Sequence, residues 1–171
     1  MTDYLIQSEN SSDHWPFFEI DNENVLDLGC GIWYTENIEE TSPVYFSKKA
    51  NLVVGCDSNN DDLVKYREYC KDISNVTFKH VIIQNANQVR ELLIEHSITA
   101  LKCDIEGFEI ALADLTSEDL SSVTKIAIEF HTDELKELFL QKIPEWGFEI
   151  ILKASFARTP PHLGVIYGIK K

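Results

Sequence analysis

The sequence predicts an α/β fold: a Rossmann-like, doubly wound, mostly parallel sheet of seven strands, the last one antiparallel, with helices on both faces. Three observations predict it. Short apolar runs rich in Val and Ile alternate with stretches of helical spacing, the order expected of βαβ units. Two of these runs, 25–28 and 52–57, carry an aspartate at or near their C-terminal end, the edge at which open parallel sheets bind ligands. The last two runs, 148–154 and 164–169, are joined by a loop instead of a helix, so the final strand reverses direction.

At 171 residues the chain is long enough for one domain with a real core and too short for two ordinary ones. Residues 1–171 therefore read as a single domain, with 1–24 as an N-terminal segment and 25–171 as the core. The formal net charge of −14 argues against a nucleic-acid strand or an anionic membrane as partner, because both need clustered Lys and Arg. A small-molecule substrate fits the charge more easily. Cys30, Cys56, Cys70 and Cys103 form no C-x-x-C pair, so they read as buried thiols in a reducing compartment. No apolar run reaches the ~20 residues of a membrane span. Residues 1–4 lack the basic and apolar character of a signal peptide, and the expected location is cytoplasmic.

Taken in order, the first strand reads Asn24-Val25-Leu26-Asp27-Leu28 and runs into Gly29-Cys30-Gly31-Ile32-Trp33. It is apolar because helices would cover both its faces. Gly29 and Gly31 permit a tight turn and let backbone amides approach a ligand closely. Residues 33–41 hold Glu36, Glu39 and Glu40 with little apolar periodicity, and read as a surface insertion beside the pocket. Ser42 as N-cap and Pro43 as first helical residue would start a helix running to Ala50. Asp57 ends the second strand, where an acidic residue can hydrogen-bond ribose hydroxyls or cap the next helix.

A helix is expected over 61–72, a third strand over 76–83 and an amphipathic helix over 88–97 with Val89, Leu92 and Leu93 on one face. The fourth strand starts at Ala100. The fifth, 124–131, ends in Glu129 and His131, two residues apart and so on one side of an extended chain. Thr132 would cap a helix over 133–143, which Pro144 and Gly147 end. The aromatic run His14-Trp15-Pro16-Phe17-Phe18 suits burial at the sheet edge, with closure over the site mouth as the alternative. Loop 155–163 reads as a plain hairpin connection, with Arg158 or His162 contacting the substrate as the alternative.

Asp27, Gly29 and Gly31 also separate two ligand classes. The third glycine of the dinucleotide pattern G-x-G-x-x-G falls on Tyr34, and Asp27 would set a negative charge beside a pyrophosphate. A nicotinamide-dependent oxidoreductase is therefore the weaker reading. A ligand without phosphate and with a cationic end suits the loop, and S-adenosyl-L-methionine is one.

The stretch resembles the first motif of class I methyltransferases, usually D-x-G-x-G-x-G, with Trp33 in place of the last glycine. Lys102-Cys103-Asp104-Ile105-Glu106-Gly107-Phe108-Glu109 is similar to the FkbM-type branch of that class, whose fourth strand typically reads Lys, an apolar residue, then Asp-x-Glu-Gly-x-Glu. FkbM-type sequences often carry a Glu and a His where Glu129 and His131 stand. The resemblance runs from about Val25 to His131. It implies an S-adenosylmethionine-dependent methyltransferase acting on an oxygen of a small metabolite, sugar or glycan. It further implies a donor site of Asp27, Gly29, Cys30 and Gly31 in the loop, Asp57 at the ribose, Gln84 or Asn85 at the adenine, and Asp104 and Glu106 on the same sheet edge.

A hydroxyl acceptor loses a proton, so the site needs a base. His131 and Asp104 are the candidates, with Glu129 as the third catalytic residue. In the alternative, Asp104 holds the donor's methionine end, His131 pairs with Glu129, and Glu106 and Glu109 cap the helix after the fourth strand. No metal site is assigned: Asp104, Glu106, Glu129 and His131 could gather a divalent ion, but no compact ligand spacing such as H-E-x-x-H supports one. A non-catalytic binding module that kept the fold is the competing functional class, favoured by Trp33 and the small size.

Overall fold

The computed structural model describes residues 2–6, 18–32, 37–156 and 163–170. Eight strands form one sheet: β1 (Thr2–Ile6), β2 (Asn24–Leu28), β3 (Leu52–Asp57), β4 (Val76–His80), β5 (Ala100–Cys103), β6 (Lys125–Phe130), β7 (Glu149–Phe156) and β8 (Gly164–Ile169). Their order across the sheet is β1-β7-β8-β6-β5-β2-β3-β4. Only β8 runs antiparallel to its neighbours, β6 and β7. The seven strands from β2 onward follow the expected arrangement. The addition is β1, which pairs in parallel with β7 and adds an eighth strand from the segment expected to precede the sheet.

Val25, Leu26, Asp27 and Leu28 are all fully buried, because helices cover both faces of β2. Side chains alternate between the faces. Leu26, Val54, Leu101 and Ile126 pack under α3 (Ala86–Glu95) and α4 (Asp133–Glu145). Val25, Val53, Ala100 and Ala127 face the other way, beneath α1 (Ser42–Ser47), whose Phe46 joins that cluster. Tyr66 of α2 (Asn60–Tyr69) stacks on Phe78 of β4, with ring centroids 4.9 Å apart. Phe18, from the aromatic run, packs against Phe46 and Tyr167 as core.

Several boundaries shift for local reasons. Thr41, not Ser42, precedes the first turn of α1, and its hydroxyl bonds back to the Ile38 carbonyl instead of capping the helix. That helix ends at Ser47. Asn59 caps α2 and Asn85 caps α3, each starting its helix earlier than the apolar spacing suggests. β4 stops at His80, so residues 81–83 leave the ladder. A short 3-10 turn, Glu109–Leu112, follows β5 where a helix was expected. All four cysteines are buried and unbonded.

The class I order makes β2 and β5 neighbours, although 71 residues separate Leu28 from the start of β5 at Ala100. Chain crossovers leave in opposite directions on either side of this pair, which is the topological switch point where such sheets bind ligands.

Candidate functional site

Backbone hydrogen bonds tie three strand ends together. Gly29 N donates to the Cys56 carbonyl at 2.9 Å, and Asp104 N donates to the Leu28 carbonyl at 2.9 Å. Gly29 sits at φ +74°, and a β-carbon there would stand 1.5 Å from the Asp104 carbonyl oxygen. No other residue fits that turn. Beneath it, Lys102 Nζ donates to the Gly29 carbonyl at 2.8 Å and lies 3.0 Å from Asp27 Oδ1 and 3.7 Å from Asp104 Oδ2. Burial works against the ammonium, yet Asp27 and Asp104 outweigh it and hold its pKa well above the ordinary lysine value.

The same pairing sets the position of Asp27, expected at the donor site. Its carboxylate is wholly buried under the loop, neutralised by Lys102, and does not reach the cavity wall. Cys30 and Gly31 also lie outside that wall. The Cys30 carbonyl accepts the Tyr66 hydroxyl at 2.6 Å, and the loop is held from below by Asp62, whose carboxylate accepts Ile32 N at 3.3 Å.

The cleft over the switch point has a volume of about 160 Å³. Gly29, Cys56 and Asp57 form one side; Val81, Ile82 and Ile83 form the second; Asp104, Ile105, Glu106 and Phe108 form the third. Ile82 and Phe108 are more than half exposed, so two apolar side chains stand unburied at one opening. Asp57 Oδ1 accepts Asn59 N at 2.7 Å, which orients the carboxylate at the tip of β3. Asn85 is not in the wall. Its side chain, expected at the adenine, accepts Asn87 N and Gln88 N as the cap of α3, and Gln84 N is tied to Gln88 in the same capping box.

Beside the cleft, the ends of β5 and β6 gather the remaining candidates. Glu106 at φ +54° and Gly107 at φ +94° turn the chain sharply after Asp104. His131 Nε2 lies 3.4 Å from Glu106 Oε2, 3.7 Å from Asp104 Oδ1 and 4.0 Å from Glu129 Oε1. Its Nδ1 pairs with Glu109 Oε1 at 3.0 Å. Glu109 is completely buried, and the same oxygen accepts Ile105 N at 2.9 Å. The expected trio of His131, Asp104 and Glu129 is thus brought together, with Glu106 among them.

Burial raises the pKa of Asp104, against the pull of Lys102. Burial and the neighbouring Asp104 carboxylate raise that of Glu129 well above its ordinary range. Burial opposes the His131 imidazolium, but Glu109, Asp104 and Glu106 reverse the balance and raise its pKa. The acidic side chains of Asp27, Asp104, Glu106, Glu109 and Glu129 thus gather around Lys102 and His131.

Lys102, Glu109, Asp62, Ile82 and Phe108 were given no such roles by the sequence. One signal was available: a lysine inside the apolar strand 100–103 must be paired when buried. Trp33, Tyr34, Glu36, His14–Phe17, Arg158 and His162 lie outside the described residues.

No family model and no curated protein matches the chain. Its fold is nevertheless that of solved class I methyltransferases. It is similar to fibrillarin from Aeropyrum pernix, solved with natively bound S-adenosyl-L-methionine, at 12% identity and TM-score 0.61 over 88% of this chain and 67% of that one. Magnesium protoporphyrin IX methyltransferase (ChlM) from Synechocystis PCC 6803, with bound SAM, shares 13% identity at TM-score 0.60, covering 90% of this chain and 72% of that one. An rRNA methylase from Streptococcus thermophilus shares 15% identity at TM-score 0.61, covering 94% and 93%. Among the described residues, no helix is long and apolar enough to cross a membrane.

Proposed function

We propose that this chain is an S-adenosyl-L-methionine-dependent methyltransferase of the FkbM type, acting on an oxygen of a small metabolite, sugar or glycan. The observation that carries this reading is the cleft over β2 and β5, walled by Gly29, Asp57, Asp104 and Glu106. Its residues suit the donor's chemistry. Asp57 would accept from the ribose hydroxyls, Ile82 and Phe108 would flank the adenine, and the acidic wall would hold the ammonium end. Asp27, Cys30 and Gly31 would act from beneath, by fixing the loop. The neighbours of known structure that carry S-adenosylmethionine support the donor, and the Lys102-to-Glu109 motif supports the FkbM branch.

When bound, the donor supplies an activated methyl group on a sulfonium. The chain's own residues align the acceptor, and alignment alone is worth about 7–11 kcal/mol of barrier. His131 or Asp104 would take the proton of the acceptor hydroxyl, and Glu129, 4.0 Å from His131 Nε2, would stand beside them. A net charge of −14 supports a small acceptor over the RNA of the rRNA methylase. Isothermal titration with S-adenosylmethionine tests the reading: one saturable site is expected, and no binding at millimolar donor by folded protein would overturn it.

A further inference from the structure

We infer that Asp104, Glu106 and His131 form a binding site for a hard divalent cation such as Mg²⁺ or Mn²⁺. Each offers one ligand atom, and these atoms all lie within 4.8 Å of one another. Ligands at right angles around such an ion, with bonds of about 2.1 Å, stand about 3 Å apart. His131 Nε2 is already 3.4 Å from Glu106 Oε2 and 3.7 Å from Asp104 Oδ1, so side-chain adjustments would bring the three donors onto one ion. Asp104 and His131 directly follow the paired strands β5 and β6, and the turn at Glu106 and Gly107 brings Glu106 back beside them.

Two further observations point to an ion instead of mutual pairing. Asp104 Oδ1 is shielded from solvent and has no hydrogen-bond partner among the described residues. A buried carboxylate oxygen left so is costly, and an ion would satisfy it. Glu109, fully buried and anchored by Ile105 N, holds the opposite ring nitrogen of His131 and presents Nε2 to the cluster. A carboxylate behind a histidine in this way is the usual outer support of a metal ligand. Oxygen donors with one imidazole suit Mg²⁺ or Mn²⁺. Glu129 Oε1, 4.0 Å from Nε2, stands near enough to contact a water on the ion. The site faces the cleft that Asp104 and Glu106 line, so an acceptor oxygen could take an open position on it. The inference goes beyond the methyl-transfer reading and does not require it.

Titration of the whole chain with Mn²⁺, followed by loss of the free-ion electron paramagnetic signal, tests the proposal. One ion per chain is expected, displaced by Mg²⁺, with a ¹⁴N coupling from His131 in the spin-echo spectrum. Glu106→Gln and His131→Gln should weaken binding about tenfold or more, and the second should remove the nitrogen signal. Glu106 is half-exposed, so its variant keeps the fold and the comparison stands even if His131→Gln does not. Binding without a nitrogen coupling, or unchanged in Glu106→Gln, would assign the ion to other surface carboxylates and overturn the site. Mn²⁺ binding by a chain that fails to bind S-adenosylmethionine would leave the site standing and sink only the methyl-transfer reading.

Discussion

Gly29 and Asp104 meet so closely that a single added carbon on the first would overlap the carbonyl of the second. The turn over β2 and the tip of β5 are therefore one unit, set by the lack of a side chain at one position. Gly29→Ala would force a left-handed residue against backbone and should cost about 2–5 kcal/mol. Urea denaturation reads this as a lowered midpoint; an unchanged midpoint would show that the two strand tips are not in contact.

Lys102 and Asp27 form a buried pair in which each neutralises the other. Lys102→Met strands a carboxylate in the core and should destabilise by about 3–5 kcal/mol. Adding Asp27→Asn to that variant should recover much of the loss, because no charge is then left behind. Thermal unfolding of the single and double variants checks the order, and equal loss in both would contradict the pairing.

Asn85 and Asp57 separate architecture from ligand contact. Asn85→Ala removes the cap of α3 and should cost about 1 kcal/mol while leaving donor affinity unchanged. Asp57→Ala should do the reverse, lowering donor affinity by about tenfold, the scale of a lost charge-assisted hydrogen bond. Calorimetric titration of both variants gives the comparison; reduced affinity in Asn85→Ala would restore that residue to the adenine site.

Burial raises the pKa of every cysteine, and pushes the Cys56 thiol up to about 12. A thiol raised on folding holds its proton when the unfolded chain has lost its own. Its stabilising effect is full below the unfolded value of about 8.5 and fades as pH climbs toward the folded one. Stability should therefore fall on the alkaline side from about pH 9, and less steeply in Cys56→Ala. Disulfide reagents at pH 8 should react slowly with the folded protein and quickly in denaturant; fast labelling of folded protein would contradict the burial.

The fold class and most elements were legible because apolar runs of β-branched residues and carboxylate-tipped ends are local signals. The gathering of Asp104, Glu106, Glu129 and His131 was legible too, since two neighbouring strands end beside these residues, although a sharp turn at Glu106 and Gly107, not strand alternation, places Glu106. The burial of Asp27 was not legible, because a motif marks a position in sequence, whereas that burial depends on Lys102, which arrives from a strand far along the chain. The cap that Asn85 provides is a local feature, since its partners, Asn87 and Gln88, are immediate neighbours. β1 escaped notice because it forms by pairing with a partner at the far end of the sequence.

That last pairing has a consequence for biosynthesis. Thr2 is in register with Leu152, 150 positions later. At about 5–20 residues per second, the segment waits roughly 8–30 s on the ribosome before its partner exists. Its Tyr-Leu-Ile run stays unsatisfied for that interval, so closure of the outer sheet edge is the step at which nascent chains are most open to chaperone capture or to pairing with one another.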